Sequence, residues 1–424
     1  MLGSVRQIIE AQISTPELEI TFGRGWVLFN EYLPQFNSSF YADFRNITGL
    51  NIQEYFISMV CLITNFMKDS ETSVFNTQKL GDDTGIIDIF QRYIGLESQS
   101  ADKLKKSLWK NVLTDFNNNS LIPEYNYKPL REKPIFVTDD GRAIIMDPIF
   151  YCEKATIGAL FHISKKRGDH IFSQFGYAFE AYSCDILRRM YPQSNHLYKR
   201  LLCNITLPVR RGISIGEIDA CINDVNEVVI FEMKANFIRD DAFSDDYDKL
   251  LEIIRERYGV TNKNNTIVVK GVGQLARIIN EVVLNKLTIN EADFSKVQKV
   301  YPVLVVHDSL LNAPLYAEFL ASEFRELIKP EAITSNGEMI KNNTRILPLI
   351  LMTIDELESF EVASEHYGIK DFLDNYSKDC LDRKISIHNY IAFSDKYSFY
   401  RNSYLVTKGL EIIKKAGQIV FNRI

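Results

Sequence analysis

Residues 213–237 read ISIGEIDACINDVNEVVIFEMKANF, and no other stretch constrains the fold of this chain as tightly. Two segments alternate in character about a polar turn at Asn223–Asn226, which is the pattern of two strands joined as a hairpin. In the first segment Ile213, Ile215, Glu217, Asp219 and Cys221 share one face. In the second, Val229, Phe231, Met233 and Ala235 share the apolar face, while Val228, Ile230, Glu232 and Lys234 share the other. That other face begins apolar and then turns into an acid followed by a base. A two-residue loop at Val225-Asn226 places Asp219 directly opposite Glu232, so Asp219, Glu232 and Lys234 converge.

The surroundings of this run read as α/β. Helical spacing over His170–Met190 precedes strand-like runs at 200–207, 213–222 and 227–237. A helix over Gly273–Asn285 and a buried strand at Val300–Val306 follow. The order helix, strand, strand, strand, helix, strand suggests a mixed central sheet flanked by helices. In the first helix Phe172, Phe175, Phe179, Tyr182 and Ile186 form the apolar stripe. Glu180 lies at its edge beside Gly176 and Ser183, where an acid can reach into a site. Gln274 opens the later helix, where its amide could hold a phosphate or the lysine. With 424 residues the chain is long enough for two or three domains. The composition shifts predict a mostly helical domain over 1–130, a core over 131–310 and a mixed, helical extension over 311–424. Past the core, Ala313–Ile328 reads as an amphipathic helix and Ile346–Met352 as a strand. Thr353 and Glu356 suit a capping box for the helix after it.

Two carboxylates a few ångström apart repel, and a hard divalent cation relieves that repulsion. Mg²⁺ takes oxygen ligands, keeps several waters, and commonly pairs one or two carboxylates with a phosphate. A nearby lysine can orient an attacking water or stabilise developing charge. With Glu180 on the preceding helix, Asp219 on the first strand of the hairpin, Glu232-Met233-Lys234 on the second and Gln274 on the later helix, residues 165–310 resemble the PD-(D/E)xK nuclease superfamily. The resemblance implies a restriction-endonuclease-like core and Mg²⁺ held by Asp219 and Glu232, with Mn²⁺ able to substitute. It also implies Glu180 as an auxiliary ligand and Lys234 as the residue that positions the nucleophilic water. Glu217 shares the Asp219 face and reads as a support of its strand.

The net charge of −6 excludes wholesale polyanion binding, so nucleic-acid contact must come from a local patch. Residues 185–212 provide one: Arg188, Arg189, Lys199, Arg200, Arg210 and Arg211 stand against the single acid Asp185. They lead directly into the first strand of the hairpin, where a phosphate backbone would enter. Asp240, Asp241, Asp245, Asp246 and Asp248 make an acidic loop after Lys234. The chain has no Walker-type loop and no HExxH or GxSxG motif, and its six histidines lack metal or triad spacing. Its six cysteines are scattered, as expected of reduced thiols in a cytoplasmic protein. No apolar stretch is long enough to span a bilayer, and the N-terminus lacks the apolar core of a signal peptide. The expected function is therefore metal-dependent hydrolysis of nucleic acid, DNA favoured, held in check by a homodimer or a regulatory partner and suited to microbial defence against invading DNA. The alternative is a catalytically silent binding or scaffold module that keeps the nuclease-like fold.

Overall fold

The two middle strands of the main sheet are apolar along nearly their whole length, which requires cover on both faces. Val228–Phe231 and Met233 in one, and Val300, Tyr301 and Val303–Val306 in the other, are wholly buried. The computed structural model describes residues 17–68, 74–75, 84–106, 128–191, 200–207, 209–210, 213–214, 216–238, 247–263, 266–289, 292–312, 314–364, 366–379, 385–394, 396 and 402–421. By contacts the chain divides into two units. One holds Met1–Ala178, Phe243–Asp245 and Ser403–Ile424; the other holds Phe179–Ala242 and Asp246–Asn402. Among the described residues no single helix is long and apolar enough to cross a membrane.

The elements that frame the sheet unit are α1 (His170–Met190), β1 (Arg200–Thr206), β2 (Glu217–Asp224), β3 (Glu227–Lys234), α2 (Val272–Ile278), β4 (Lys299–Val306), α3 (Pro314–Ile328), β5 (Thr344–Ile346), β6 (Ile350–Thr353) and α4 (Ile354–Ala363). Helix α1 belongs to this unit from Phe179 onward. The eight-stranded sheet runs Ala332–Ile333, Met339–Lys341, β5, β4, β3, β2, β1, and β6 also pairs with β4. Strand β4 is parallel to β3, β5 and β6, whereas β2 is antiparallel to both β1 and β3, so the sheet is mixed. The unit is α/β, as its sequence order suggests.

The division into units does not fall at residues 130 and 310. Strands β5 and β6 extend the sheet past 310 by pairing in parallel with β4. The chain also inserts a helix, Tyr247–Tyr258, and a hairpin of Val260–Lys263 with Thr266–Val269 between β3 and α2. Residues 213–222 are not one strand either. Ile213–Ser214 pairs with Val209–Arg210, and β2 starts only after Gly216, whose φ of 115° is open to glycine and strained for other residues. Helix α4 starts as expected, with the Thr353 N–H donating to Glu356 Oε2 at 2.7 Å.

The other unit is mostly helical, with a small four-stranded sheet. Its helix Ile52–Lys68 is apolar enough to lie inside the unit, with Tyr55, Phe56 and Met59 wholly buried. Helix Leu18–Val27 packs against Ser403–Phe421 and Pro148–Arg167 at contacts so close that only glycine fits. A Cβ on Gly23 would collide with the Leu405 carbonyl, one on Gly409 with that of Glu19, and one on Gly25 with that of Ala155. Gly409→Val is expected to destabilise this unit by about 1–3 kcal/mol or more, because backbone on both sides must move apart. Thermal denaturation measures it, and an unchanged melting temperature would contradict the packing described.

At the centre of that unit lies a polar cluster that the sequence reading did not single out. Glu97 is wholly buried; its Oε1 accepts from Tyr55 Oη at 2.8 Å and contacts His162 Nε2, and Lys154 Nζ lies 3.1 Å from Oε2. Burial pushes the Glu97 carboxyl up, but Lys154 and His162 outweigh it and hold the group well below the usual carboxylate range. Glu97→Ala would strand Lys154 as an unpaired buried charge, at an expected cost of about 3–5 kcal/mol by urea denaturation. A loss below about 1 kcal/mol would mean that the cluster is solvated or rearranges freely.

Candidate active site

The hairpin of β2 and β3 is held in register from Asp224↔Glu227 to Ala220↔Phe231. Its two-residue turn at Val225-Asn226 puts Val225 in the left-handed region, with φ at 55°. Carrying the register one residue further sets Asp219 opposite Glu232, as the alternation requires, but backbone pairing ends at Ala220. The Met233 N–H instead donates to the Asp219 carboxylate, Oδ2, at 2.7 Å. On the other flank β1 pairs with β2 from Arg200↔Asn223 to Thr206↔Glu217 and skips the pair of Asn204 and Asp219. Asn204 explains the skip: its φ of 55° turns its backbone out of the ladder. The Asp219 carbonyl accepts from the Cys184 thiol of α1, with Sγ at 3.5 Å. Asp219 therefore sits at a local break in both ladders, held by a side chain and by its own carboxylate.

Lys234 closes the constellation. Its Nζ lies 2.6 Å from Glu232 Oε1 and 4.0 Å from Asp219 Oδ2, so both carboxylates stand on the same side of the sheet around one ammonium group. Glu232 is wholly buried; its Oε1 meets the lysine, and its Oε2 has no hydrogen-bond partner among the described residues. Such an orphaned buried oxygen is costly unless something else binds it. Glu180, on the turn of α1 before Cys184, is within electrostatic reach of Asp219, Lys234 and Glu232. Helix α1 is tied down there by Tyr182, whose hydroxyl donates to the buried Glu358 of α4 at 2.6 Å.

Three carboxyls thus share one lysine. Burial pushes Glu232 up to about 8, with Asp219 and Glu180 adding to the effect and Lys234 only partly offsetting it. Burial, then Asp219, raises Glu180 to about 7. Asp219 is also raised by burial, against the pull of Lys234 and the Met233 N–H. Burial alone would lower Lys234, but Glu232 and Asp219 overcome it, so the amine stays charged. The exposed Glu217, at the start of β2, is raised by partial burial and by Asp219. Near neutrality Glu232 therefore keeps most of its proton and Glu180 part of its own, and those protons are what a cation would displace.

Among the described residues no three His, Cys, Asp or Glu side chains already surround a common point as metal ligands. The donor set nevertheless fits a hard cation: all-oxygen, carboxylate-rich, with an orphaned Glu232 oxygen. A cation here would displace protons and draw the carboxylates together against the lysine.

The remaining sequence candidates fall in different places. Gln274 serves its own helix, its Oε1 accepting the Gly271 N–H at 3.1 Å at the start of α2. Arg188 pairs with Asp185 and hydrogen-bonds Cys203, and Arg189 pairs with Glu361, Nη2 to Oε2 at 3.1 Å. A phosphate would have to draw both arginines away from carboxylates. Arg200 opens β1 and Arg210 lies in the short strand Val209–Arg210. Lys199, Arg211 and residues 239–246 of the acidic loop lie outside the described residues. The sequence reading also missed Cys184 and Asn204 as supports of Asp219. An asparagine in mid-strand was the available signal for the second, since asparagine is depleted in strands and tolerates the left-handed region.

No family model, curated protein or solved structure matches this chain.

Proposed function

We propose that the chain is a metal-dependent nuclease, most readily a DNA endonuclease, whose active centre is Asp219, Glu232 and Lys234 with Glu180 beside them on a restriction-endonuclease-like core. The observation that carries the reading is the buried excess of carboxyls around Lys234, with one Glu232 oxygen unpartnered. Asp219 and Glu232 would hold Mg²⁺, or Mn²⁺ in its place, and Glu180 would assist. When bound, the ion supplies Lewis acidity: it makes a water more acidic and offsets charge gathering on the phosphodiester.

The rest of the chemistry belongs to the chain. Glu180 and Glu232 would give up their protons and offer carboxylate oxygens to the ion. The Met233 N–H and the Cys184 thiol fix Asp219 at both its carboxylate and its carbonyl. Lys234 keeps its proton and donates hydrogen bonds to the attacking water or to a phosphate oxygen. The burial of Glu232 lowers the local dielectric and strengthens each of these charge interactions. Basic residues leading into β2, Arg200, Arg210 and Arg211 among them, would receive the phosphate backbone without reading sequence. Control by a second copy or by a regulatory subunit, and a defensive role in a cytoplasm, suit such an activity.

The test is incubation of the purified chain with supercoiled plasmid, single-stranded DNA and RNA, in Mg²⁺, in Mn²⁺ and in a chelator. DNA should be cut in either metal and spared in the chelator. Cleavage of RNA alone would change the substrate, and cleavage that survives the chelator would rule the reading out.

A further inference from the structure

Among the described residues, the hairpin inserted between β3 and α2 pairs only with itself, in four rungs from Val260↔Val269 to Lys263↔Thr266. A two-stranded ribbon has little stability of its own, so its root must hold it. The Lys270 N–H donates to the Gly259 carbonyl at 2.9 Å, and Gly271 sits so close to Tyr258 that a Cβ would collide with the Tyr258 carbonyl. The Tyr258 hydroxyl donates to the Asn236 carbonyl, and the Asn236 amide donates to the Arg257 carbonyl, each at 2.8 Å. Asn236 is two residues past Lys234, so the ribbon is anchored at the end of β3 that carries the candidate site.

Residues opposed in an antiparallel pair share a face. Val260 and Val269 form the rung that packs under Gly273 of α2. Asn262 and Ile267 oppose each other two rungs further out on that face, and both are exposed, Ile267 at 69%. From Arg257 to Lys270 the chain carries three cations, Arg257, Lys263 and Lys270, and no acid, against a net charge of −6 overall. We propose that this ribbon enters the major groove of double-stranded DNA and that Asn262 and Ile267 read an A·T pair there.

That the substrate is nucleic acid rests on the nuclease reading; its form follows from the shape of the ribbon. The major groove of B-DNA, about 12 Å wide and about 8.5 Å deep, admits a two-stranded ribbon. Four residues of strand reach roughly 13 Å, enough to touch its floor. Duplex RNA has a major groove too narrow for side chains to read, and a single strand has no groove. The Asn262 amide offers the donor and acceptor that adenine N7 and N6 require, and Ile267 offers an apolar surface to the thymine methyl. The cations would meet phosphates, which position the duplex without reading it.

Binding of the full chain to short duplex DNA, to the matching single strand and to duplex RNA is measured by fluorescence anisotropy in a chelator, and the duplexes it retains from a randomised pool are sequenced. Duplex DNA should bind about tenfold or more tighter than either alternative, with an A·T preference at a fixed position. Asn262→Ala should lose that preference and bind the preferred duplex about tenfold more weakly, with its salt dependence unchanged because no charge is removed. Ile267→Thr, which keeps a β-branched side chain on the strand, should lose the same preference. Both variants should melt with the native chain, since both side chains are exposed. Variants that keep the native preference, a preference lost only as the melting temperature falls, or a native chain that binds single strands or duplex RNA equally well, overturn the role of the ribbon. Duplex DNA bound in the expected pattern but left uncut in Mg²⁺ and in Mn²⁺ defeats the nuclease reading and leaves the ribbon standing. Cutting by variants that bind as the native chain does defeats the ribbon alone.

Discussion

Lys234→Ala is expected to slow single-turnover DNA cleavage by about three orders of magnitude or more while changing DNA affinity less than about threefold. The amine stands 2.6 Å from Glu232 and 4.0 Å from Asp219, held charged by both, in a nearly dry site. On the proposed activity, a fixed ammonium there would meet charge that develops only as the phosphodiester breaks, so its removal would raise the barrier and leave ground-state binding alone. Replacing Arg210 and Arg211 together should do the reverse. Those residues would meet phosphate charge already present, so binding should weaken on every sequence and its salt dependence should flatten. Fluorescence anisotropy at two salt concentrations, beside rapid-quench cleavage, distinguishes the patterns. Equal loss of binding and cleavage in Lys234→Ala would make the lysine a structural residue.

Mn²⁺ affinity should rise steeply with pH. Glu180 at about 7 and Glu232 at about 8 hold protons that the ion must displace. Below both values affinity should climb by up to about a hundredfold per pH unit, and between them by about tenfold. Calorimetric titration in buffers of differing ionisation heat would count the released protons. Glu232 also shapes stability in the metal-free chain. Its folded-state value lies above the ordinary 4.5, so it favours the fold at low pH, and that contribution is lost as pH climbs from about 4.5 to about 8. By pH 7 the loss is on the order of 3 kcal/mol. Glu232→Gln should therefore melt several degrees higher than the native chain at pH 8 without metal, and gain nothing from Mn²⁺. A variant less stable than the native chain at pH 8, or a pH-independent Mn²⁺ affinity, would show that Glu232 is ionised in the fold and already well paired.

The hairpin could be read from sequence because a strand repeats every two residues. Once Val225-Asn226 is the turn, the hairpin register follows and Asp219 faces Glu232. Glu180 was legible for a similar reason, lying at the edge of a long aromatic stripe. What could not be read is non-local. Parallel pairing of β4 with β5 and β6 joins residues 46 or 47 positions apart through segments whose own patterns do not name a partner. The inserted helix Tyr247–Tyr258 buries Leu250, Ile254 and Tyr258 among charged neighbours, too thin a stripe to stand out. Gln274 looked like a site residue because it opens an apolar helix. That same position is where a side chain turns back to cap the backbone, and the Gly271 N–H takes it. The break in both ladders at Asp219 depends on the left-handed turn of Asn204 and on a thiol from another element.

The central claim is that the carboxylates gathered around Lys234 take a divalent cation in place of protons. An anomalous-difference map from crystals grown with Mn²⁺ at pH 8 tests it most directly. The account predicts a peak in contact with the carboxylates of Asp219 and Glu232, with the Lys234 amine moved from between them toward the side where water would attack. Manganese bound elsewhere, with Lys234 still 2.6 Å from Glu232 and no ion beside it, would contradict the claim.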